Sequence, residues 1–547
     1  MSNPSDSTPA GSSTDSNAVS DAQGVAEAEA LEAAEDNFAI TPDILKVAGV
    51  VVLGMIMAIL DTTVVNVALP TFMTDFGVED YSTVAWTITG YTLALAAVIP
   101  VTGWAADRFG TKRLYIAAIS MFTIGSVLCG LAWSIESLIL FRVLQGLGGG
   151  MLMPLGMMIM TKAAGPERVG RLMAILGVPM LLGPIFGPIL GGWLIEAVSW
   201  HWIFFINLPL GIIAVIYAWR VLAKDKPEPG ESFDFVGMLL MSPGLALFLY
   251  GVSSIPESGT IMSAGVLVPA IIGIVLIVAF VFWALRKTHP LLDLTLFKNR
   301  DFTIAVIVMF LFAASFFGAM LIVPTYFQQV RGESVLMAGL LVAPQGIGAM
   351  ITMPIAGLLA DKFPVGRIVP FGILTIVAGT VGLALNTSPD TPIWHIMLCL
   401  FVMGLGMGFS MMPVFTAALK TLREHQVARG STLINVIQQI ASSVGVAMIS
   451  VVLTNQQKSS DVLMAFMQVT KDAAAGIQPP EWVAAIATKL GDTFQAVAMS
   501  DLAHSFEVSY WVAVGCLSVT FFVTLLLPRK KMEAPEGEES AAPVMMH

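Results

Sequence analysis

Fourteen runs of about twenty apolar residues each are long enough to cross a hydrocarbon core as helix, and they leave this chain few folds to choose from. They fall at about 47–69, 83–105, 114–133, 137–160, 171–195, 202–222, 236–253, 264–285, 302–324, 336–359, 367–386, 393–416, 431–453 and 506–527. Inside lipid no water can satisfy a stray N–H or C=O, so runs of this length become α-helices packed side by side. Of the 547 residues, 56% are hydrophobic and 12% charged, more apolar surface than a water-soluble core can bury. The expected fold is an all-α membrane protein with 14 transmembrane helices.

The basic residues test that count independently. With the N-terminus in the cytoplasm, 22 of the 27 Lys and Arg fall on the inner side, and Arg331, Lys458, Lys471 and Lys489 fall outside. The last, Arg142, lies within a span. Such an excess on one side is what the positive-inside rule requires. It predicts a multi-pass protein of the cell membrane with both termini cytoplasmic.

The net charge of −11 comes largely from the first 45 residues, where eight carboxylates between Asp6 and Asp36 precede any Lys or Arg. This tail is expected to be disordered. It lacks a basic, apolar leader, so the first span is expected to act as an uncleaved signal. No nucleic-acid partner follows from this charge. Cys129, Cys399 and Cys516 are far apart and the six His lack ligand spacing, so no metal or cofactor is expected.

Gly103–Arg113 (GWAADRFGTKR) and Gly357–Arg367 (GLLADKFPVGR) repeat one pattern 254 residues apart, after spans 2 and 10. The repeat divides the chain into an N-terminal six-helix half (46–225), a two-helix linker (226–300) and a C-terminal six-helix half (301–528). A cytoplasmic tail (529–547) follows. A long extracytoplasmic loop, 454–505, carries an amphipathic stretch that could lie on the membrane, cap the outer mouth or dock a partner. Two similar halves with a site between them near the midplane form a recurrent transporter plan.

Two charges lie inside the membrane. Asp61 is the only charge in span 1, where a carboxylate costs roughly 2.5–3.5 kcal/mol on insertion scales and so marks an ion or proton site by default. At 1.5 Å per residue it lies roughly 9 Å below the outer surface, and Arg142 of span 4 roughly 8 Å below the same surface. At matching depth they can pair or compete across a cavity. Two other readings stay open: a static ion pair at Asp61, and an Arg142 that snorkels to the interface.

Four motifs resemble one family. These are Leu60–Pro70 (LDTTVVNVALP) in span 1, the Gly103–Arg113 loop, Arg142-Val-Leu-Gln145-Gly146 in span 4, and Gly177–Gly192 (GVPMLLGPIFGPILGG) in span 5. In this order and at these spans, the chain is similar to fourteen-span drug:proton antiporters of the EmrB/QacA type in the major facilitator superfamily. The resemblance implies proton coupling through Asp61 and Arg142. It implies a gating loop built on Gly103, Asp107, Arg108 and Gly110, repeated at Asp361. It also implies an antiporter motif at Gly177, Gly183, Pro184, Gly187 and Gly191. The chain departs from the usual loop by placing Thr111 where an Arg commonly follows Gly110. Polar groups suited to a substrate cavity are Asn66, Gln145, Gln345, Asn435 and Gln438.

The expected function is therefore proton-coupled export of hydrophobic or cationic small molecules by alternating access. The alternatives are a dedicated exporter of one metabolite, such as a lipid, siderophore or peptide, and a non-transporting membrane sensor. No catalytic constellation is visible, so an enzyme is not expected. Expected partners are the substrates, protons and the bilayer, with an adaptor protein left open.

Overall fold

The computed structural model describes residues 41–530, apart from 79–80, 165–168, 225–231, 259, 261, 421, 424–425 and 476–477, and apart from some side chains within helices. Residues 1–40 and 531–547, which hold most of the two expected tails, lie outside the described residues. Every regular element among the described residues is helical.

The N-terminal half is built from α1 (Pro42–Phe76), α2 (Tyr81–Phe109), α3 (Thr111–Gly130), α4 (Ile135–Ala164), α5 (Val169–Ala197) and α6 (Trp202–Val221). The linker pair is α7 (Phe235–Ser253) and α8 (Ala264–Ala284). The second half holds α9 (Arg300–Gln329), α10 (Val335–Lys362), α11 (Val365–Leu385), α12 (Ile393–Lys420) and α13 (Val427–Ser459). Two shorter helices follow, α14 (Asp461–Ala475) and α15 (Glu481–Leu490), before the last long helix, α16 (Phe494–Thr524). Among the described residues, 13 helices are long and apolar enough to cross a membrane, and the 29-residue α5 occupies the place of the fifth expected run.

Several helices outrun their apolar stretches, because hydropathy marks only the part immersed in hydrocarbon while the hydrogen-bond ladder continues into water. Thus α13 extends to Ser459 and α16 starts at Phe494, against expected limits of 453 and 506. Most of the segment expected as the loop 454–505 is consequently helical, and the helix foreseen in its amphipathic stretch is α15.

The same pairings recur in both halves. In the first, α4 packs on α2 and α3, and α3 on α6; in the second, α12 packs on α10 and α11, and α11 on α16. The linker helices pack on each other, and α7 also meets α2 and α13. Across the halves, α5 packs on α10 and α12, while α2 and α4 pack on α13. A Cβ built on Gly103 would lie 2.9 Å from Thr432 Oγ1 and 3.3 Å from the Ala428 carbonyl. Asn435 Nδ2 contacts Met157 Sδ at 3.3 Å. These close approaches lie toward the end of the bundle that carries the α2–α3 loop, here the Asp107 end.

Candidate functional site

Small residues bring the membrane charges together. Gly125 of α3 lies against the Gln145 backbone and Gly146 of α4 against the Tyr91 carbonyl, so neither position has room for a Cβ. Small residues let membrane helices approach closely. Arg142 and Gln145, three apart, share one face of α4, and this packing drives both into the interior of the N-terminal half.

Asp61 is 2% exposed, and Arg142 and Gln145 are fully buried. Arg142 Nη1 donates to Asp61 Oδ2 at 2.5 Å and to Gln145 Oε1 at 2.8 Å, and its Nε donates to the Thr87 carbonyl at 3.0 Å. Gln145 Nε2 donates to Asp61 Oδ1 at 2.7 Å, so one amide bridges the cation and the anion. Asn207 Nδ2 of α6 reaches the same oxygen at 3.5 Å and Ser126 Oγ at 3.0 Å; Ser126 in turn donates to the Phe204 carbonyl at 2.9 Å. The guanidinium lies 4.1 Å from the centroid of the Tyr91 ring and 5.8 Å from that of Phe204.

This is a desolvated ion pair in which both carboxylate oxygens and the guanidinium Nε and Nη1 have hydrogen-bond partners, the kind of support such a pair needs. Arg142 does not snorkel; its head group points inward and is enclosed. The pair is also held out of open space rather than displayed on a cavity wall. Apart from Asp61, Arg142 is held by the Thr87 carbonyl, Gln145 Oε1 and two ring faces. The guanidinium therefore does not depend on the carboxylate alone for its partners.

The other expected residues scatter. Gln145 belongs to the ion-pair network, while Gln345 and Asn435 are buried. Asn66 is exposed, with Nδ2 donating to the Thr62 carbonyl at 2.9 Å, and Gln438 is half-buried. Gly177 faces Met353 and Met412 of the second half, whereas Gly183, Gly187 and Gly191 face Ile59, Thr63 and Val64 of α1. At its described glycines the motif thus seats α5 on α1 and, at Gly177, meets the second half. The side chains of Pro184 and Asp361 lie outside the described residues.

At the loop, Gly103 is buried against α13, Asp107 is half-buried and Arg108 exposed. Gly110 adopts φ +93°, ψ 142°, backbone that only glycine takes without strain. Lys112 Nζ donates to the carbonyls of Trp219 (2.7 Å) and Leu222 (2.5 Å), placing a cation on the negative end of α6.

Sequence reasoning missed Thr87, Tyr91, Ser126 and Asn207. Asn207 carried a readable signal, as an amide inside an apolar run. Thr87, Tyr91 and Ser126 did not, since a hydroxyl residue or a carbonyl in a membrane helix is commonplace.

The family model of the Major Facilitator Superfamily matches residues 51–446. Over 490 residues the chain is 46% identical to a "Multidrug resistance protein B homolog" of Mycobacterium tuberculosis H37Rv, covering 89% of this chain and 91% of that protein. It is 31% identical over 406 residues to the "Multidrug export protein EmrB" of Escherichia coli K12, covering 74% and 79%. Among solved structures, the human organic anion transporter MFSD10 matches with a TM-score of 0.59 at 15% identity, covering 89% of this chain and all of that one. The proton:xylose symporter XylE matches with a TM-score of 0.55 at 15% identity, covering 89% and 96%. Two six-helix halves with matching internal packing, joined by a helical pair, agree with these likenesses: the chain belongs to the major facilitator superfamily.

Proposed function

We propose that this chain is a proton-coupled antiporter that exports chemically varied hydrophobic or cationic small molecules by alternating access. The buried Asp61–Arg142 pair carries the reading, supported by relatives named for multidrug resistance and multidrug export. In this reading Asp61 is the proton carrier and Arg142 is its ion-pair partner. The polar groups Asn66, Gln345, Asn435 and Gln438 serve the substrate path.

The charge count puts the Asp107 end in the cytoplasm of a cell membrane, so the contacts around Gly103 and Asn435 describe a state closed on the inside. Gly103, Asp107, Arg108, Gly110 and Asp361 gate that end, and α5 seals the halves where Gly177 meets Met353 and Met412, with Gly183, Gly187 and Gly191 seating it on α1. One proton crossing about 150 mV supplies roughly 3.5 kcal/mol, enough for a several-hundred-fold concentration gradient.

The test uses proteoliposomes holding only this protein, with a pH dye and a panel of unrelated cationic and neutral compounds. Several of them should elicit proton release from the wild type, and Asp61→Asn should elicit none while remaining folded. Coupling retained in Asp61→Asn would remove Asp61 from the mechanism. A response to a single compound would point to a dedicated exporter instead.

A further inference from the structure

The linker forms a pocket at the Asp107 end that the transport cycle does not use. Asp234, 3% exposed, accepts from Gly237 N and Trp283 Nε1 at 2.9 Å through Oδ1, and from Leu291 N at 3.1 Å through Oδ2. One buried carboxylate thus fastens the start of α7, the end of α8 and the chain that leaves α8. Asp293 then accepts from Thr295 N (3.0 Å) and Thr295 Oγ1 (2.6 Å), capping the 3-10 turn Leu294–Lys298.

Between these anchors and α13 lies a cavity of about 420 Å³, lined by Lys287, Lys298, Arg429, Asp293, Leu285 and Phe297 among others. The volume lies within the range of about 300–1,000 Å³ common to small-ligand sites. Three cations and one carboxylate leave the lining at formal charge +2. Beside it, Phe282 and Leu285 are 62% and 66% exposed on the outer face of the end of α8, where the fold presents that face to lipid.

We infer that this pocket binds the phosphodiester headgroup of an anionic phospholipid, with the acyl chains lying along Phe282 and Leu285. Basic pockets at membrane-helix ends bind such headgroups. Inorganic phosphate offers the same anion but has no use for the apolar flank. A Cβ on Gly103 would lie 3.5 Å from Arg429 Cα, so a headgroup held by Lys287, Lys298 and Arg429 ties the linker to the turn of α13 that meets the first half. The lipid then strengthens closure at this end.

Native mass spectrometry of the purified full chain tests the inference without transport, so its outcome is independent of the proton-coupling reading. Phosphatidylglycerol should be retained in preference to phosphatidylcholine. Lys287→Gln with Lys298→Gln should weaken phosphatidylglycerol binding roughly thirty-fold and leave phosphatidylcholine unchanged, at about a fivefold effect per charge. Lys287→Arg with Lys298→Arg should restore it. If the double Gln variant does not fold, Lys298→Gln alone should show the fivefold loss. Equal retention of the two lipids, or unchanged binding in the folded Gln variants, would overturn the site. Displacement of phosphatidylglycerol by millimolar inorganic phosphate would reassign it to a free anion and overturn the lipid.

Discussion

The two halves share a backbone frame, and their interiors are chemically opposite. In the first half, Gly125 lies on Gln145, Gly146 on the Tyr91 carbonyl and Gly148 on Phe122. In the second, Gly379 lies on Met403, Gly404 on the Gln345 carbonyl and Gly406 on Ile376. This correspondence puts Met403 where Gln145 stands and Leu400, three residues earlier, where Arg142 stands. Both are buried. Ser126 donates across to the Phe204 carbonyl, whereas its counterpart Thr380 donates to Ile376 of its own helix at 2.8 Å.

The first half therefore binds its helices through a charged network, and the second through packing in which Ser315, Ser410 and Thr416 turn to local carbonyls and Thr352 of α10 donates across to the Leu405 carbonyl of α12 at 2.9 Å. Close packing at glycines is what the fold requires. The buried ion pair is an addition that, among the described residues, the first half carries, and this asymmetry is why coupling is proposed there.

The sharpest way to break the comparison is to move the charge. Leu400→Arg places a cation in the equivalent frame with the buried Gln345 where Tyr91 stands but with no carboxylate shown there to pair it, at a cost of several kcal/mol. The expected outcome is loss of monodisperse protein on size-exclusion chromatography of detergent extracts, while Leu400→Met is tolerated. Normal yield of the Arg variant would mean that the second half has room for a network after all.

Next in size is removal of the existing charge. Arg142→Leu leaves Asp61 buried and unpaired and should lower stability by about 3–5 kcal/mol, read as a lower thermal midpoint in detergent. Combining it with Asp61→Asn removes the orphan charge and should recover most of that loss, making the first half resemble the second, yet without proton release. A double variant no more stable than Arg142→Leu would show that the pair is needed for folding itself.

The smallest effect concerns the repeated loop. Gly110 sits at φ +93°, but its counterpart Pro364 sits at φ −60°. Gly110→Ala should cost about 1–3 kcal/mol, and Pro364→Ala much less. Equal thermal shifts would show that the two loops are strained alike.

The Asp61 story shows how far one dimension of information reaches. Hydropathy placed the apolar helices, thirteen of them long and apolar enough to cross a membrane among the described residues, and the rise per residue put Asp61 and Arg142 at one level. The repeat of Gly103–Arg113 at Gly357–Arg367 suggested two halves, and the helix pairings recur on either side of it. Each of these is a property measured along the chain or along a helix axis.

Rotation about the axis is a different quantity. Spans that face lipid on one side and protein on the other are apolar all round, so periodicity does not say which way Asp61 or Gln145 turns. That was decided by packing, through the close approaches of Gly125 and Gly146. They carried Gln145 from an expected cavity wall into the ion-pair network and brought Thr87, Tyr91, Ser126 and Asn207 to meet it. The sequence by itself determined the apolar helices and the presence of Asp61 and Arg142 within two of them. Only the tertiary structure decided that the two touch and that the second half meets the same geometry with leucine and methionine, because contact depends on helix rotation and helix rotation is set by neighbours.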